Sequence, residues 1–211
     1  MVRIRSLAVG PVATNCYVVS DDEGNAFVVD PGYEYEPILE AIEGLRVSHI
    51  LLTHAHFDHI GGVRAVKERT GALVLIHELE ADWLVDPRLN LSAYRSEFCP
   101  WEVCGPPADR TLRDGDVIRL LSETIEARHT PGHSPGHVSY VMGDVVFGGD
   151  ALFYGSVGRT DLPGGDGPAL IRSIREKLLT LPPATSVLPG HGPPTTIGDE
   201  ARTNPFLQPR K

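Results

Sequence analysis

The chain has no run of lysines or arginines, no long apolar stretch and few cysteines, and each shortage removes a class of protein. Formal net charge is −9, from 19 basic and 28 acidic side chains. Affinity for a phosphate backbone comes largely from basic neutralisation, so a nucleic-acid partner is not expected. No segment approaches the roughly 20 apolar residues of a membrane-spanning helix. The start, Met1-Val2-Arg3-Ile4-Arg5-Ser6-Leu7, has no apolar core of a secretory leader. Cys16, Cys99 and Cys104 are an odd set, and Cys99 and Cys104 stand without the second pair that a zinc knuckle needs. Free thiols in a reducing cytoplasm are therefore expected. What is left, 211 residues at 41% apolar and 22% charged, is an ordinary globular composition. Its length and the absence of a linker predict one domain over residues 1–211.

Short apolar runs at 2–9, 14–20 and 25–29 read as strands, punctuated by Asn15 and by the turn Asp21-Asp22-Glu23-Gly24. Pro37 opens a helix with Ile38, Ile42 and Leu45 on its inner face. A strand over 47–52 follows, then a helix through about Arg69 carrying Ile60, Val63 and Val66, then a strand over 72–77. Prolines 87, 100, 106 and 107 break the pattern between Asp86 and Ala108, where Tyr94, Phe98 and Trp101 supply aromatic surface. A stretch of this length reads as a lid or rim, or else as a packed connector. Beyond it come strands around the turn Arg113-Asp114-Gly115-Asp116, strands near 138–141 and 145–148, and a helix from Pro168 to Leu179 capped by Asp166. A last strand covers 185–188, and a tail helix begins near Gly198. Alternating strands and helices predict a layered α/β protein.

The stretch that organises the rest is Thr53-His54-Ala55-His56-Phe57-Asp58-His59, directly after Ile50-Leu51-Leu52. Three imidazoles and a carboxylate at one strand end are a donor set for zinc, iron or manganese. Three more donors share the placement just past an apolar strand and beside Pro or Gly. They are His133 in Thr130-Pro131-Gly132-His133, Asp150 after Val145-Val146-Phe147-Gly148-Gly149, and His191 after Val187-Leu188-Pro189-Gly190. Sites in α/β sheets form outside the carboxyl ends of strands, so this repeated placement points to one shared edge.

Taken in order, His54, His56, Asp58, His59, His133, Asp150 and His191 resemble the metallo-β-lactamase superfamily, as does Val29-Asp30-Pro31-Gly32. The resemblance implies a four-layer αβ/βα sandwich with two divalent metal ions, zinc first, iron or manganese also accepted. It implies that His54, His56 and His133 hold one ion, Asp58, His59 and His191 the second, and Asp150 both. Asp58 and Asp150 become the catalytic carboxylates, and Asp30 orients ligands from behind. His49, His77, His129 and His137 are left without a role; His137 repeats the Pro-Gly-His pattern of His133.

Lactam-hydrolysing members lack the carboxylate at the Asp150 position, diiron flavoprotein partners carry glutamate where His56 stands, and RNA-processing members are usually larger. The remaining branch is similar to glyoxalase II, the hydroxyacyl-thiol thioesterases. Gly158-Arg159-Thr160-Asp161-Leu162-Pro163-Gly164-Gly165-Asp166 and the tail from Gly198 to Leu207 resemble its short members. So few residues follow His191 that the helical domain with which full-length relatives grip glutathione is not expected. Arg159 fits the basic residue those enzymes place on the thiol, but Asp161 stands where they have an aromatic one. Arg159 therefore reads either as a substrate contact or as the partner of Asp161. The expected reaction is hydrolysis of a small thioester by a metal-bridging hydroxide. The alternative is a persulfide dioxygenase holding one Fe(II) through His54, His133 and Asp150.

Overall fold

The computed structural model describes residues 1–94, 96, 97, 99 and 101–208. The chain falls into two compact units: Met1–Leu112 with Leu120–Ser122, and Arg113–Arg119 with Glu123–Lys211. Each carries its own six-stranded sheet.

In the first unit, β1 (Arg3–Val9), β2 (Thr14–Ser20), β3 (Asn25–Val29), β4 (Arg46–Leu51), β5 (Leu73–His77) and β6 (Arg110–Leu112) lie side by side in chain order. The first three are antiparallel, whereas β3 to β6 are parallel and need crossovers. Helix α1 (Glu36–Ala41) makes the first crossover, and α2 (Phe57–Ile60) with α3 (Val63–Thr70) makes the second. A 3₁₀ segment, Glu78–Leu84, follows β5. Parallel strands read as continuous apolar runs because both faces are buried, and Ala26, Phe27, Val28 and Val29 of β3 are all inaccessible. Ile38 and Ile42, one helical turn apart, join Val63 and Val66 against Val28, Ile50 and Val74 of the sheet.

The single helix expected through Arg69 is broken at Gly61-Gly62. The backbone of Pro31-Gly32 crosses there, with the Gly62 amide donating to the Pro31 carbonyl at 2.8 Å. A Cβ on Gly62 would lie 2.7 Å from the Gly32 carbonyl oxygen, so only glycine passes. The stretch between Asp86 and Ala108 is a packed connector over its described part. Asn90 Nδ2 donates to the carbonyls of Trp83 and Val103, and Cys99 and Val103 belong to the core. Phe98 and Pro100 lie outside the described residues.

The second unit adds β7 (Val117–Leu120), β8 (Glu123–His129), β9 (Val138–Met142), β10 (Val145–Gly149), a small hairpin of β11 (Leu152–Phe153) and β12 (Ser156–Val157), α4 (Gly167–Ser173), β13 (Ser186–Pro189), β14 (Thr195–Thr196) and α5 (Ile197–Thr203). Its sheet order is β14-β13-β10-β9-β8-β7, with β8, β9 and β10 antiparallel in turn and β13 parallel to β10. Helix α4 starts where the Asp166 carboxylate accepts the Ala169 amide at 2.9 Å, a cap worth about 1 kcal/mol. It runs on through a π turn, Ile174–Leu178, so Leu170, Ile174 and Leu178 form one stripe against Val146 and Val187. No helix among the described residues is long and apolar enough to cross a membrane.

Candidate metal centre

Strands β3 and β4 are parallel neighbours, so the residues just past them share one edge of the first sheet. Asp30 follows β3, and Thr53 to His59 follow β4 and enter α2. Asp30 has a left-handed backbone, φ 48°, which a non-glycine residue adopts only under local constraint. In that position its carboxylate accepts the Thr53 amide at 2.8 Å, the Thr53 hydroxyl at 2.7 Å and Nδ1–H of His59 at 3.0 Å. The Thr53 hydroxyl has one proton, and Asp30 takes it. Its oxygen, 3.1 Å from Nδ1 of His54, therefore accepts from that ring. The rings of His54 and His59 are 4.1 Å apart, and those of His54 and His56 are 4.7 Å apart. Asp58 accepts the Thr14 hydroxyl at 2.9 Å.

The second sheet repeats the arrangement. Strands β8, β10 and β13 run in one direction, so His133, Asp150 and His191 sit past the same edge. Nδ1–H of His133 donates to the Arg159 carbonyl at 2.8 Å. The Gly132 carbonyl accepts the Asp166 amide at 2.8 Å, and the Pro131 carbonyl accepts the Ser173 hydroxyl at 2.8 Å, so α4 fixes the His133 loop at two points. Gly158 lies so close to Asp150 that a Cβ would fall 1.8 Å from the Asp150 carbonyl oxygen. No other residue fits there.

His54, His59 and His133 thus carry their proton on Nδ1 and a lone pair on Nε2, the form that ligates. In the first unit, Nε2 of His59 is 3.4 Å from Oδ2 of Asp58. In the second, Oδ2 of Asp150 is 3.6 Å from Nε2 of both His133 and His191. These gaps are long for a hydrogen bond. Two ligand atoms each about 2.1 Å from one tetrahedral ion stand about 3.4 Å apart, so the spacing and the donor chemistry fit a divalent metal.

Arg159 holds Asp161 through two hydrogen bonds, Nε to Oδ1 and a terminal nitrogen to Oδ2, both 2.7 Å. This pairing is exposed, and the guanidinium lowers the Asp161 carboxyl to about 2. Burial, with the Asp30 charge adding to it, pushes the Cys16 thiol well above its ordinary value, and burial raises Cys99. Both hold their protons and are poor nucleophiles. All three cysteines are free.

The histidines left without a role have structural ones. His77 Nδ1 accepts the Leu79 amide at the head of the 3₁₀ segment, and His129 Nε2 donates to the Pro135 carbonyl at 2.8 Å. His49 bonds Ser48, and His137 lies against the Asp150 amide. Sequence reasoning also missed Glu80, which is fully buried and accepts the Ala55 amide at 2.7 Å, between two candidate ligands. Nothing in Glu78-Leu79-Glu80 marks it as buried.

Each sheet ends in an edge that carries histidine and aspartate donors, the layout of an α/β metal-binding protein. The metallo-β-lactamase superfamily pattern matches residues 9–191, and the chain belongs to that superfamily. It is 45% identical over 208 residues to the probable metallo-hydrolase YqgX of Bacillus subtilis, covering 96% of each chain. To the hydroxyacylglutathione hydrolase GloC of Haemophilus influenzae it is 40% identical over 198 residues, covering 92% of each. Among solved structures, the BLEG-1 B3 metallo-β-lactamase superimposes with TM-score 0.93 at 44% identity, covering 98% of this chain and 100% of that one. TTHA1623 in a di-iron-bound form gives 0.82 at 44%, covering 96% and 100%. ETHE1 from Myxococcus xanthus gives 0.80 at 32%, covering 96% and 83%.

Proposed function

We propose that this chain cleaves a small hydroxyacyl thioester by hydrolysis, using two divalent metal ions, zinc first and iron or manganese as alternatives. In this reading His54, His56 and His133 hold one ion, Asp58, His59 and His191 the other, and Asp150 serves both. The observation that carries it is the single oxygen, Oδ2 of Asp150, at 3.6 Å from both His133 and His191. One carboxylate oxygen between two imidazole nitrogens suits a ligand shared by two ions. The likeness to GloC supports the thioester class, and the di-iron form of TTHA1623 supports a two-ion site.

Two such ions would supply an acidified water and an electrophile for the carbonyl oxygen. The chain's own residues hold that arrangement in place. Asp30 and the Arg159 carbonyl set the tautomers of His59 and His133, and Thr14 keeps one oxygen of Asp58 hydrogen-bonded. A thiol of ordinary pKa, about 8.5, leaves as thiolate, so no protein acid is needed. Arg159 is the basic side chain offered to a carboxylate on the thiol half, and release from Asp161 would precede that contact. Free thiols fit a reducing, cytoplasmic setting.

A β-lactam is the second substrate class, favoured by the likeness to BLEG-1, although the Asp150 carboxylate argued against it in the sequence. One experiment separates the readings. Zinc-loaded protein, kept free of oxygen, is assayed on a lactoyl thioester and on a cephalosporin. Thioester cleavage is expected to dominate. Thioester inertness with lactam turnover would reverse the substrate classes. Inertness towards both, with oxygen uptake on glutathione persulfide by iron-loaded protein assayed in air, would replace the hydrolase by an oxygenase.

A further inference from the structure

The buried imidazole of His137 closes a chain of hydrogen bonds around the turn that carries Asp150. The Asp150 amide donates to Nε2 of His137 at 2.9 Å. Nδ1 of the same ring lies 2.8 Å from the Thr130 hydroxyl, which lies 3.0 Å from the Ser139 hydroxyl, and that hydroxyl donates to the Gly148 carbonyl at 3.3 Å. Thr130, His137 and Ser139 are wholly inaccessible to solvent.

The direction of every proton follows. An amide only donates, so Nε2 carries a lone pair and the ring proton is on Nδ1. Nδ1–H therefore donates to Thr130, Thr130 to Ser139, and Ser139 to Gly148. The chain begins on the amide of Asp150, just past β10, and ends on the carbonyl of Gly148, two residues earlier inside that strand. Between them Gly149 takes a left-handed turn, φ 50°. The Asp150 carbonyl, on the other side, rests on Gly158. With Nε2 engaged and Nδ1 protonated, His137 has no lone pair to give a metal.

We infer that His137 is a positioning residue, which clamps the Asp150 peptide so that its carboxylate stands where a shared metal ligand is needed. The inference rests on the dinuclear reading for the ligand role of Asp150, but the clamp itself does not. Nitrogen NMR of the metal-free protein reads the tautomer directly, and protonation on Nε2 would overturn the clamp.

Variants then test its purpose. In His137→Gln the side-chain oxygen reaches the Nε2 position and still accepts from Asp150; in His137→Asn the amide reaches only the Nδ1 position and does not. Chelator competition should show zinc held within about 3-fold of wild type by His137→Gln and 10- to 100-fold more weakly by His137→Asn, the usual range for groups behind a ligand. Unchanged zinc affinity in His137→Asn, however far its metal-free melting temperature falls, would reduce His137 to packing. Should His137→Asn not fold, Thr130→Val leaves the ring in place and removes the hydroxyl that fixes its proton. Weaker zinc binding in Thr130→Val with an unchanged metal-free melting temperature supports the inference, and unchanged binding overturns it. Wild-type protein that saturates with one ion would end the dinuclear reading and leave the NMR result standing.

Discussion

Oε2 of Glu80 accepts the backbone amide of Ala55 at 2.7 Å, so a buried carboxylate beyond β5 holds the peptide between His54 and His56. Glu80→Ala should leave that amide without its acceptor and open a cavity. A loss of about 1–3 kcal/mol is expected for the unsatisfied group in urea denaturation of the metal-free protein. Glu80→Gln keeps an acceptor and should lose less. Equal stability of Glu80→Ala and wild type would show that another group satisfies Ala55.

Seven donors with one shared carboxylate should bind about two ions per chain, which elemental analysis at saturation reads. Asp150→Ala should lose metal from both positions and abolish turnover, while circular dichroism reports an intact fold. A wild-type stoichiometry of one, with the ring signals of His59 and His191 unmoved by metal, would remove the second ion.

The Arg159–Asp161 pair makes a prediction about pH. Asp161 titrates at about 2, below the usual carboxylate range of about 3.9, because Arg159 bonds its charged form. A depressed folded value favours the native state above the unfolded pKa, and that contribution fades as pH falls through about 2. Carbon NMR of Arg159→Ala should find the Asp161 value moved up towards the ordinary carboxylate value of about 3.9. If Asp161 already titrates there in wild type, the pair is open in solution. Arg159→Ala should then act chiefly on KM, because binding lost equally in ground and transition states leaves kcat alone.

Thiol reactivity should sort by burial. Cys104 is exposed, whereas Cys16 and Cys99 are buried with raised pKa. An aromatic disulfide reagent at neutral pH should modify one thiol quickly and the other two only on unfolding. Rapid reaction of Cys99 would mean that the connector around it opens in solution.

Much of this architecture can be read in the sequence because most of the donors follow a run of apolar residues that has to be a buried strand, His133 after the mixed strand Glu123–His129 being the exception. Val145-Val146-Phe147 before Asp150 and Ile50-Leu51-Leu52 before His54 are examples. What cannot be read depends on a second element. The break at Gly61-Gly62 exists because Pro31-Gly32 crosses there. Glu80 is charged in sequence and buried in the fold because Ala55 supplies a donor. The strands β11 and β12 have two residues each, too few to show a period. The second Pro-Gly-His repeat is visible as a pattern, yet His137 differs from His133 only by what its nitrogens meet. The Arg159–Asp161 pair is legible as a pair of charges, and its two-pronged geometry is not.

The left-handed backbone at position 30 has a consequence for mutational tolerance. Its dihedral favours glycine, asparagine and aspartate, and its three donors favour a carboxylate. The two filters overlap at one amino acid. Glutamate has the charge without the turn, glycine has the turn without an acceptor, and asparagine has the turn with a single oxygen for three protons. Among random variants selected for function, this position should come back as aspartate while neighbouring core positions still drift among aliphatic residues.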